Sequence, residues 1–295
     1  MMNSKWMGWM RMTVKVKAIA LDMDGTMLNE DNQVNDSLSD YLLELRRRGL
    51  LVFIATGRTL WEVKEILPDG LQVDGVVTAN GMGVFAGEQQ LVQHSLAPQL
   101  IEELIGRARS KQIYYEVHPA DGGPIALRED EAYFPSHVIS PRPESVGESE
   151  WMSRLQAIRE EINWCDSLAG HKVAKIYFFS RDQEQITEWR RELSVLQQQS
   201  DFAMFPSSDH NVEIMVANVS KATGVQYLLQ YFGLEPADVL AVGDSENDLP
   251  LFQFAGHAVA MRNAPDRVKH QADDVTEFTN QEDGLTRYLV QKFGR

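Results

Sequence analysis

The alternation of short apolar runs with segments of helical periodicity is the feature that most constrains the fold of this chain. Apolar runs that predict buried strands occupy residues 16–21, 50–55 and 75–79, and helical patterns lie between them at 36–48 and 60–67. From Ser220 onwards the alternation returns, with strands at 239–243 and 257–261 and helices at 220–232, from 248, and at 284–293. Strands that alternate with helices predict a parallel, Rossmann-like α/β sheet.

The middle of the chain departs from this alternation and predicts a smaller α/β domain inserted into the first. It contains a hairpin pattern at 83–95, strands at 113–117, 175–179 and 211–216, and helices after Pro98 and near 150–162 and 183–196. We therefore predict a core domain from residues 14–84 and 216–295 and a cap domain from residues 85–215, a typical domain size. Residues 1–13 lack the features of a signal peptide, and we expect a disordered tail there.

Net charge, the length of apolar runs and cysteine content argue against a nucleic-acid binder, a membrane-spanning protein and a disulfide-stabilised protein. The net charge of −15 argues against a general nucleic-acid binder, because phosphate contacts need a basic face. No apolar run approaches the ~18–20 residues that span a bilayer, so we expect no membrane segment. Cys165 is the only cysteine, which rules out an internal disulfide and favours a reducing, cytoplasmic setting. Both a monomer and a small homo-oligomer are compatible with this sequence.

Polar and charged groups follow the strands of the predicted parallel sheet. They are Asp22-Met23-Asp24-Gly25-Thr26, Thr56-Gly57-Arg58, Asn80-Gly81 and Asp244-Ser245-Glu246-Asn247-Asp248, and Ser220-Lys221 opens a helix. In parallel α/β sheets ligands bind outside the carboxyl ends of the strands, so we expect these groups to meet in one site.

Each motif by itself also has a plainer interpretation. The segment from Asp22 to Gly25 could be a turn with local hydrogen bonds, and Asp248 could be a helix N-cap followed by a proline in the first turn. Lys221 could be a solvated lysine, although a cation in the first turn of a helix opposes the helix dipole. The agreement of several strand ends favours a functional site over these separate interpretations.

Electrostatics predict that this site needs a cation. At 4 Å and an effective dielectric near 20, each pair of like charges costs about 4 kcal/mol, and four aspartates would meet here. Lys221 supplies one positive charge and a divalent metal would supply two more. Oxygen-only ligands, without a cluster of Cys or His, point to Mg²⁺ rather than zinc.

Two carboxylates as close in sequence as Asp22 and Asp24 can hold different roles only in different environments. Asp22, beside the metal and Lys221, would stay ionised and act as metal ligand and nucleophile, and Asp24 would act as acid and then base. The Thr56 hydroxyl and the loop amides would bind phosphoryl oxygens. The reaction class is then phosphoryl transfer through an aspartyl-phosphate, and the chain has no Walker-type nucleotide loop.

These motifs, in this order and spacing, resemble the haloacid dehalogenase (HAD) superfamily and, within it, the Cof-like phosphatases. DMDGT, ATGR, SK and GDSENDLPLF are similar to the four motifs of the family, and AMRNAP, ADDVT and NQEDG to the C-terminal segment of Cof-like proteins. The resemblance covers nearly the whole chain from about Val16. One departure is Arg262, which stands where the family usually has glycine and which we interpret as a surface change.

The resemblance implies a role for each matching residue. Asp22 would be the nucleophile and a Mg²⁺ ligand, Asp24 the acid/base with its backbone carbonyl on the metal, and Asp244 a further metal ligand. The remaining assignments are phosphate-binding residues Thr56, Gly57, Arg58, Lys221 and Asn247, and supporting residues Asn80, Gly81 and Asp248. The inserted segment corresponds to the α/β cap of the family.

The leading hypothesis is therefore a Mg²⁺-dependent phosphatase that acts on a small phosphomonoester such as a sugar phosphate. A phosphomutase with the same type of cap is an alternative enzyme, and a non-catalytic protein that binds phosphorylated metabolites is an alternative of another class. The cap is expected to set the substrate. Within it, His118, Asp121 and Arg128 are candidate contacts, although a plain surface loop is the favoured interpretation of residues 118–128.

Overall fold

The computed structural model describes residues 16–294, which form two β-sheets with helices packed against them. The expected disordered tail at residues 1–13 lies outside the described residues. The strands are β1 Ala18–Leu21, β2 Leu51–Ala55, β3 Gly75–Thr78, β4 Gly83–Ala86, β5 Gln89–Gln93, β6 Tyr114–Pro119, β7 Ile125–Leu127, β8 Asn163–Cys165, β9 Val173–Phe179, β10 Phe202–Phe205, β11 Asn211–Val216, β12 Val239–Gly243, β13 His257–Ala260 and β14 Asp274–Val275. The helices are α1 Asp36–Arg47, α2 Leu60–Ile66, α3 Pro98–Ser110, α4 Glu148–Gln156, α5 Gln183–Leu196, α6 Lys221–Phe232, α7 Leu249–Phe254, α8 Asp266–Lys269 and α9 Gly284–Phe293.

The first sheet is built from both ends of the described chain. Its strand order is β14-β13-β12-β1-β2-β3-β4-β5, and the strands from β14 to β3 pair in parallel. The central strand β1 pairs with β12 on one side and with β2 on the other. The C-terminal third of the chain is therefore an integral part of this sheet, and the prediction of a parallel α/β core is confirmed.

Both faces of the central strands of the first sheet are buried. Along β1, Ile19 and Leu21 pack into the apolar cluster that includes Leu42 and Leu289, from helices α1 and α9. Ala18 and Ala20 point to the opposite cluster, which contains residues of α6 and α7. Burial on both faces explains why these strands are continuous apolar runs in the sequence rather than alternating ones.

The hairpin β4–β5 extends the first sheet with two antiparallel strands. Our sequence-based boundary at residue 85 assigned most of this hairpin to the inserted domain. Because β4 bonds to β3, the hairpin belongs to the first sheet, and the second sheet begins after it. The hairpin was correctly placed in the sequence, but the pattern did not show that β4 also pairs with β3, the strand that directly precedes it.

The second sheet has the order β10-β11-β9-β6-β7-β8, with antiparallel pairs except for β7–β8. Helices α3 and α5 supply buried apolar residues to its core, among them Leu104 and Trp189. The region 119–147, which the sequence left unassigned, contains β7 and short turns at Arg128–Asp130 and Phe134–Val138. Strands of three or four residues carry too few alternating positions to be recognised from periodicity.

Within residues 16–294, no helix has both the length and the apolar composition needed to cross a membrane.

Helix α6 lies close against strand β3 because its fourth residue, Gly224, is a glycine. A Cβ atom on Gly224 would lie 2.3 Å from Cγ1 of Val77. Replacing Gly224 with alanine should lower the free energy of unfolding by about 1–3 kcal/mol, since the overpacking outweighs the better helix propensity. Chemical denaturation at equilibrium measures the change.

Gly106 in the exposed part of α3 is the matched control, because a Cβ there would meet nothing within 4 Å. Gly106→Ala should raise the free energy of unfolding by about 0.5–1 kcal/mol. Equal effects of the two substitutions would mean that the close approach of α6 to β3 is not a packing constraint.

Candidate active site

A buried lysine joins two aspartates at the carboxyl edge of the first sheet. Nζ of Lys221 donates to Oδ1 of Asp22 at 2.5 Å and to Oδ1 of Asp248 at 2.7 Å. Lys221 is 0% exposed and Asp22 is 3% exposed. Burial tends to lower the pKa of the ammonium, but attraction to the two carboxylates outweighs it and raises that pKa. Lys221 is therefore a fixed positive charge in the site.

Local structure places each member of this group. Asp22 directly follows β1, and its backbone N–H donates to the Val242 carbonyl at 3.0 Å. Lys221 is the first residue of α6, where the Ser220 hydroxyl accepts the N–H of Thr223 as an N-cap. A lysine in this position is unfavourable for the helix dipole, and the two carboxylates compensate for it.

Asp248 is fully buried, and both of its carboxylate oxygens are occupied. Oδ1 accepts from Lys221, and Oδ2 accepts the backbone N–H groups of Asp244 and Ser245 at 2.9 and 3.0 Å. A Cβ atom on Gly243 would lie 2.3 Å from Cγ of Asp248, so the close approach of this carboxylate requires glycine. These contacts suit a positioning group that orients the loop after β12.

Asp22, Asp244 and Asp248 each place a carboxylate oxygen within 4.8 Å of the others. Since the oxygens of Asp248 are engaged, Asp22 and Asp244 are the side chains left to hold a cation. Burial raises the pKa of Asp22 well above its ordinary value despite the opposing charge of Lys221. Burial and the charge of Asp248 raise the pKa of Asp244 to about 7.

This donor set fits Mg²⁺, which prefers oxygen ligands and usually takes one or two carboxylates. A divalent cation would also balance the excess of buried negative charge that raises these pKa values. We expected Asp22 to stay ionised beside Lys221 and a metal. Burial outweighs the charge of Lys221 in setting the pKa of Asp22, so a bound divalent cation would favour the ionised form.

Asp24 lies in a different environment from Asp22, as its proposed role requires. Its side chain is 54% exposed, and Arg58 binds it through two parallel hydrogen bonds, Nε to Oδ2 at 2.9 Å and Nη2 to Oδ1 at 2.5 Å. The sequence assigned Arg58 to phosphate, whereas here its guanidinium contacts the second aspartate. Nη2 of Arg58 also donates to Asn32, which the sequence did not single out.

The loops after β2 and β3 are bonded to each other. The N–H of Asn80 donates to the Thr56 carbonyl at 2.9 Å, and the N–H of Arg58 donates to the Thr56 hydroxyl at 3.1 Å. A Cβ atom on Gly81 would lie 2.3 Å from the Ser220 carbonyl, and its φ of 108° favours glycine. This close approach brings the end of β3 against the start of α6, next to Lys221.

Two asparagines extend the site towards the C-terminal loops. Nδ2 of Asn247 donates to Oδ1 of Asn80 at 3.2 Å. Asn263, which we did not predict, donates to the Gly25 carbonyl at 2.8 Å and approaches Oδ2 of Asp244 at 3.4 Å. Asn263 follows β13, so the rule of polar groups at strand ends could have identified it. The side chain of Arg262, the departure from the family pattern, is exposed.

The second sheet contacts the same loops. Nζ of Lys175 on β9 donates to the Gly57 carbonyl at 3.4 Å, and Nδ2 of Asn80 lies 3.8 Å from Sδ of Met215 on β11. Sequence reasoning missed Lys175, because a lysine within an apolar strand is typical of an edge or a solvated face. Its 6% exposure instead places it in the interior.

The chain is similar in sequence to several known proteins. A family model described as haloacid dehalogenase-like hydrolase matches residues 19–289. A 5-amino-6-(5-phospho-D-ribitylamino)uracil phosphatase of Bacillus subtilis is 29% identical over 286 residues, which cover 94% of this chain and 98% of the relative. An HMP-PP phosphatase of Cronobacter sakazakii is 27% identical over 246 residues, which cover 83% of this chain and 84% of the relative.

A solved structure also shares the fold. The haloacid dehalogenase-like hydrolase from Bacteroides thetaiotaomicron superposes with a TM-score of 0.77 at 23% identity, and the match covers 95% of this chain and all of that one. With a strand order in which β1 lies between β12 and β2, and with a family match over residues 19–289, this chain belongs to the haloacid dehalogenase-like hydrolase family, in its Cof-like subgroup.

Proposed function

We propose that this protein is a Mg²⁺-dependent phosphatase that hydrolyses a small phosphomonoester through an aspartyl-phosphate on Asp22. The observation that carries the proposal is the buried Asp22 carboxylate, held by Lys221 on one oxygen and adjacent to Asp244. The relatives are named as phosphatases of small phosphorylated metabolites, which supports the same class of substrate here.

Substrate binding uses positive charge and hydrogen-bond donors at the sheet edge. Lys221, the Thr56 hydroxyl, and the loop N–H groups near Gly57 and Asn247 would bind the phosphoryl oxygens. Asp22, Asp244 and the Asp24 carbonyl would hold Mg²⁺, which neutralises charge on the phosphoryl group when bound. With Lys221 on Oδ1, the second oxygen of Asp22 is left to attack phosphorus.

In the first step an oxygen of Asp22 forms a bond to phosphorus while the bond to the ester oxygen breaks. The leaving oxygen takes a proton from Asp24, which acts as general acid. Arg58 must release Asp24 for this transfer, and the incoming phosphate is a competing anion for the guanidinium. Arg58 would then contact the phosphate of the bound substrate instead of Asp24, to which it is hydrogen-bonded in the structure.

In the second step a water molecule attacks the phosphorus of the aspartyl-phosphate. Asp24, now deprotonated, accepts a proton from that water, and the bond between phosphorus and Asp22 breaks. Inorganic phosphate leaves, and both aspartates return to their starting protonation states. Asp248 takes no part in bond making; it holds Lys221 and the loop that carries Asp244.

Replacing Asp22 with asparagine tests the nucleophile. The change keeps the shape of the side chain, so we expect a folded protein whose rate of phosphate release falls by about 10³-fold or more. A panel of phosphorylated metabolites with Mg²⁺, followed by released phosphate, measures the rate. Asp40→Asn, an exposed change on α1, is the matched control and should keep wild-type rates.

Substantial turnover by a folded Asp22→Asn protein would contradict the proposal. Formation of an isomeric phosphoester in place of inorganic phosphate would identify a phosphomutase instead. Binding without turnover across the whole panel by the wild-type protein would indicate a non-catalytic binding protein.

The Asp24→Asn variant distinguishes the role of Asp24 in forming the aspartyl-phosphate from its role in hydrolysing it. With nitrophenyl phosphate, whose leaving group needs no proton, the first step should proceed, while hydrolysis of the aspartyl-phosphate should slow by about 10²–10⁴-fold. Rapid mixing should then show a burst of nitrophenolate close to one equivalent of enzyme. If the burst and the steady-state rate fall together, Asp24 does not act as the base of the second step.

Metal binding should depend on pH through the raised pKa of Asp244. Below a pKa of about 7 protons compete with the metal, so Mg²⁺ should raise the melting temperature by a few degrees near pH 8 and by clearly less near pH 5.5. Thermal unfolding with and without Mg²⁺ measures this. Asp244→Asn should lose most of the shift and Asp40→Asn should retain it; equal shifts at both pH values would exclude Asp244 as a ligand.

A further inference from the structure

We infer that Lys175, a residue of the second sheet, is a positioning residue for phosphate binding: it holds the peptide group between Gly57 and Arg58 and, through that group, the hydroxyl of Thr56. The inference rests on the proposed phosphatase function and adds a residue that acts on the substrate only through others. Its basis is a continuous series of contacts from Lys175 to Thr56 and the burial of the residues at both ends.

One peptide group connects Lys175 with Thr56. The peptide bond between Gly57 and Arg58 is trans, so its carbonyl and its N–H point in opposite directions. The carbonyl accepts from Nζ of Lys175 at 3.4 Å, and the N–H donates to Oγ1 of Thr56 at 3.1 Å. A rotation of this group would break both hydrogen bonds. Lys175 and Thr56 therefore fix the orientation of the group together.

The bond from Arg58 also orients the Thr56 hydroxyl. A hydroxyl has one proton to donate and two lone pairs with which to accept. Because the Arg58 N–H occupies a lone pair, the proton is directed away from it towards another acceptor. Thr56 is 0% exposed, its N–H donates to the Val77 carbonyl at 2.9 Å, and its carbonyl accepts the N–H of Asn80 at 2.9 Å. The hydroxyl is thus a preorganised donor for a phosphoryl oxygen.

Two carboxylates hold Lys175 in place. Its Nζ lies 3.5 Å from Oε1 of Glu213, on the neighbouring strand β11, and 3.7 Å from Oε2 of Glu62, in the first turn of α2. The residue is 6% exposed. Burial acts to lower the pKa of its ammonium, but Glu213 and Glu62 outweigh burial and raise that pKa. Lys175 is therefore a charged donor at neutral pH.

Glu62 connects the same lysine to the far end of the loop after β2. Its Oε2 accepts the N–H of Thr59 at 2.6 Å and the hydroxyl of Thr59 at 2.8 Å, as part of the capping box of α2. Burial acts to raise the pKa of Glu62, but Lys175, His118 and the bonds from Thr59 lower it to about 2. Lys175 thus contacts this loop directly at its middle and, through Glu62, at its end.

An ion pair that serves stability alone is the plainer interpretation of these contacts. A buried ion pair adds little net stability, because the cost of removing both charges from water offsets their attraction. Lys175 also donates to a backbone carbonyl of the loop that is proposed to bind phosphate, which a stabilising ion pair does not require. The two interpretations differ in the affinity for phosphate that they predict after the lysine is replaced.

Replacing Lys175 with methionine removes the donor and keeps an unbranched side chain. We expect the competitive inhibition constant of inorganic phosphate and the KM of nitrophenyl phosphate to rise by about fivefold or more, because the peptide group and the Thr56 hydroxyl are no longer held. Release of nitrophenolate, with and without added phosphate, measures both constants. A smaller folded fraction lowers the maximal rate but neither constant, so a loss of stability alone would leave them unchanged.

Glu213→Gln is the matched control. It removes one carboxylate partner of Lys175 but keeps the contacts of Lys175 to Gly57 and Glu62, so both constants should stay within about twofold of wild type. If Lys175→Met does not fold because two carboxylates lose their cation, the charge-balanced variant Lys175→Met/Glu213→Gln is compared with Glu213→Gln instead. The same rise of about fivefold or more is expected in that comparison.

A double-mutant cycle with Thr56→Val tests the route through the hydroxyl. Valine keeps the branched shape of threonine without the hydroxyl, so in that background Lys175→Met should change the inhibition constant by less than about twofold. Unchanged constants in folded Lys175→Met, or effects of the two substitutions that multiply, would overturn the inference and leave the phosphatase function intact. No phosphate release from any substrate by the wild-type protein would instead refute the proposed function, and this inference with it.

Discussion

The contact between the Lys221 ammonium and the carboxylates of Asp22 and Asp248 is the interaction on which the rest of the site depends. A buried charge is costly unless it is paired and well hydrogen-bonded, and removing one partner leaves the others uncompensated. The three residues come from three strand-to-helix connections, and Asp22 and Lys221 are 199 positions apart in the chain. The parallel pairing of β1 with β12 brings the connections that carry Asp22 and Asp248 to the same edge of the sheet, and helix α6, which follows β11, brings Lys221 to them.

The four aspartates of the site lie in different surroundings, and these differences allow them different roles. One carboxylate oxygen of Asp248 accepts a hydrogen bond from Lys221 and the other accepts from backbone N–H groups, so the orientation of this side chain is fixed. Asp22 is buried and Asp244 is partly buried, and both have a raised pKa, so a bound cation would favour their ionised forms. Asp24 is half exposed and forms an ion pair with Arg58. One sequence motif thus places its two aspartates in unlike environments.

The two faces of the second sheet differ in character. Its core is apolar on the side of α3 and α5, while its other face carries buried ion pairs that include Glu116 with Arg154 and Lys175 with Glu213. Buried ion pairs are a weak source of stability. Through Lys175 they also contact Gly57 and Glu62, which connects the second sheet to the loop after β2 and to helix α2.

The sequence by itself determined the parallel α/β core and the set of residues that meet at its carboxyl edge. Apolar runs and helical periodicity are local signals, and the rule that ligands bind at strand ends converts them into a site. Only the tertiary structure decided that Arg58 binds Asp24, that β4 and β5 extend the first sheet, and that Lys175 and Asn263 border the site. The pairing of β4 with β3 joins consecutive strands, but the apolar pattern does not name a strand's partner. The contacts of Arg58, Lys175 and Asn263 join residues far apart in the sequence, and packing sets contacts of that kind rather than any local pattern.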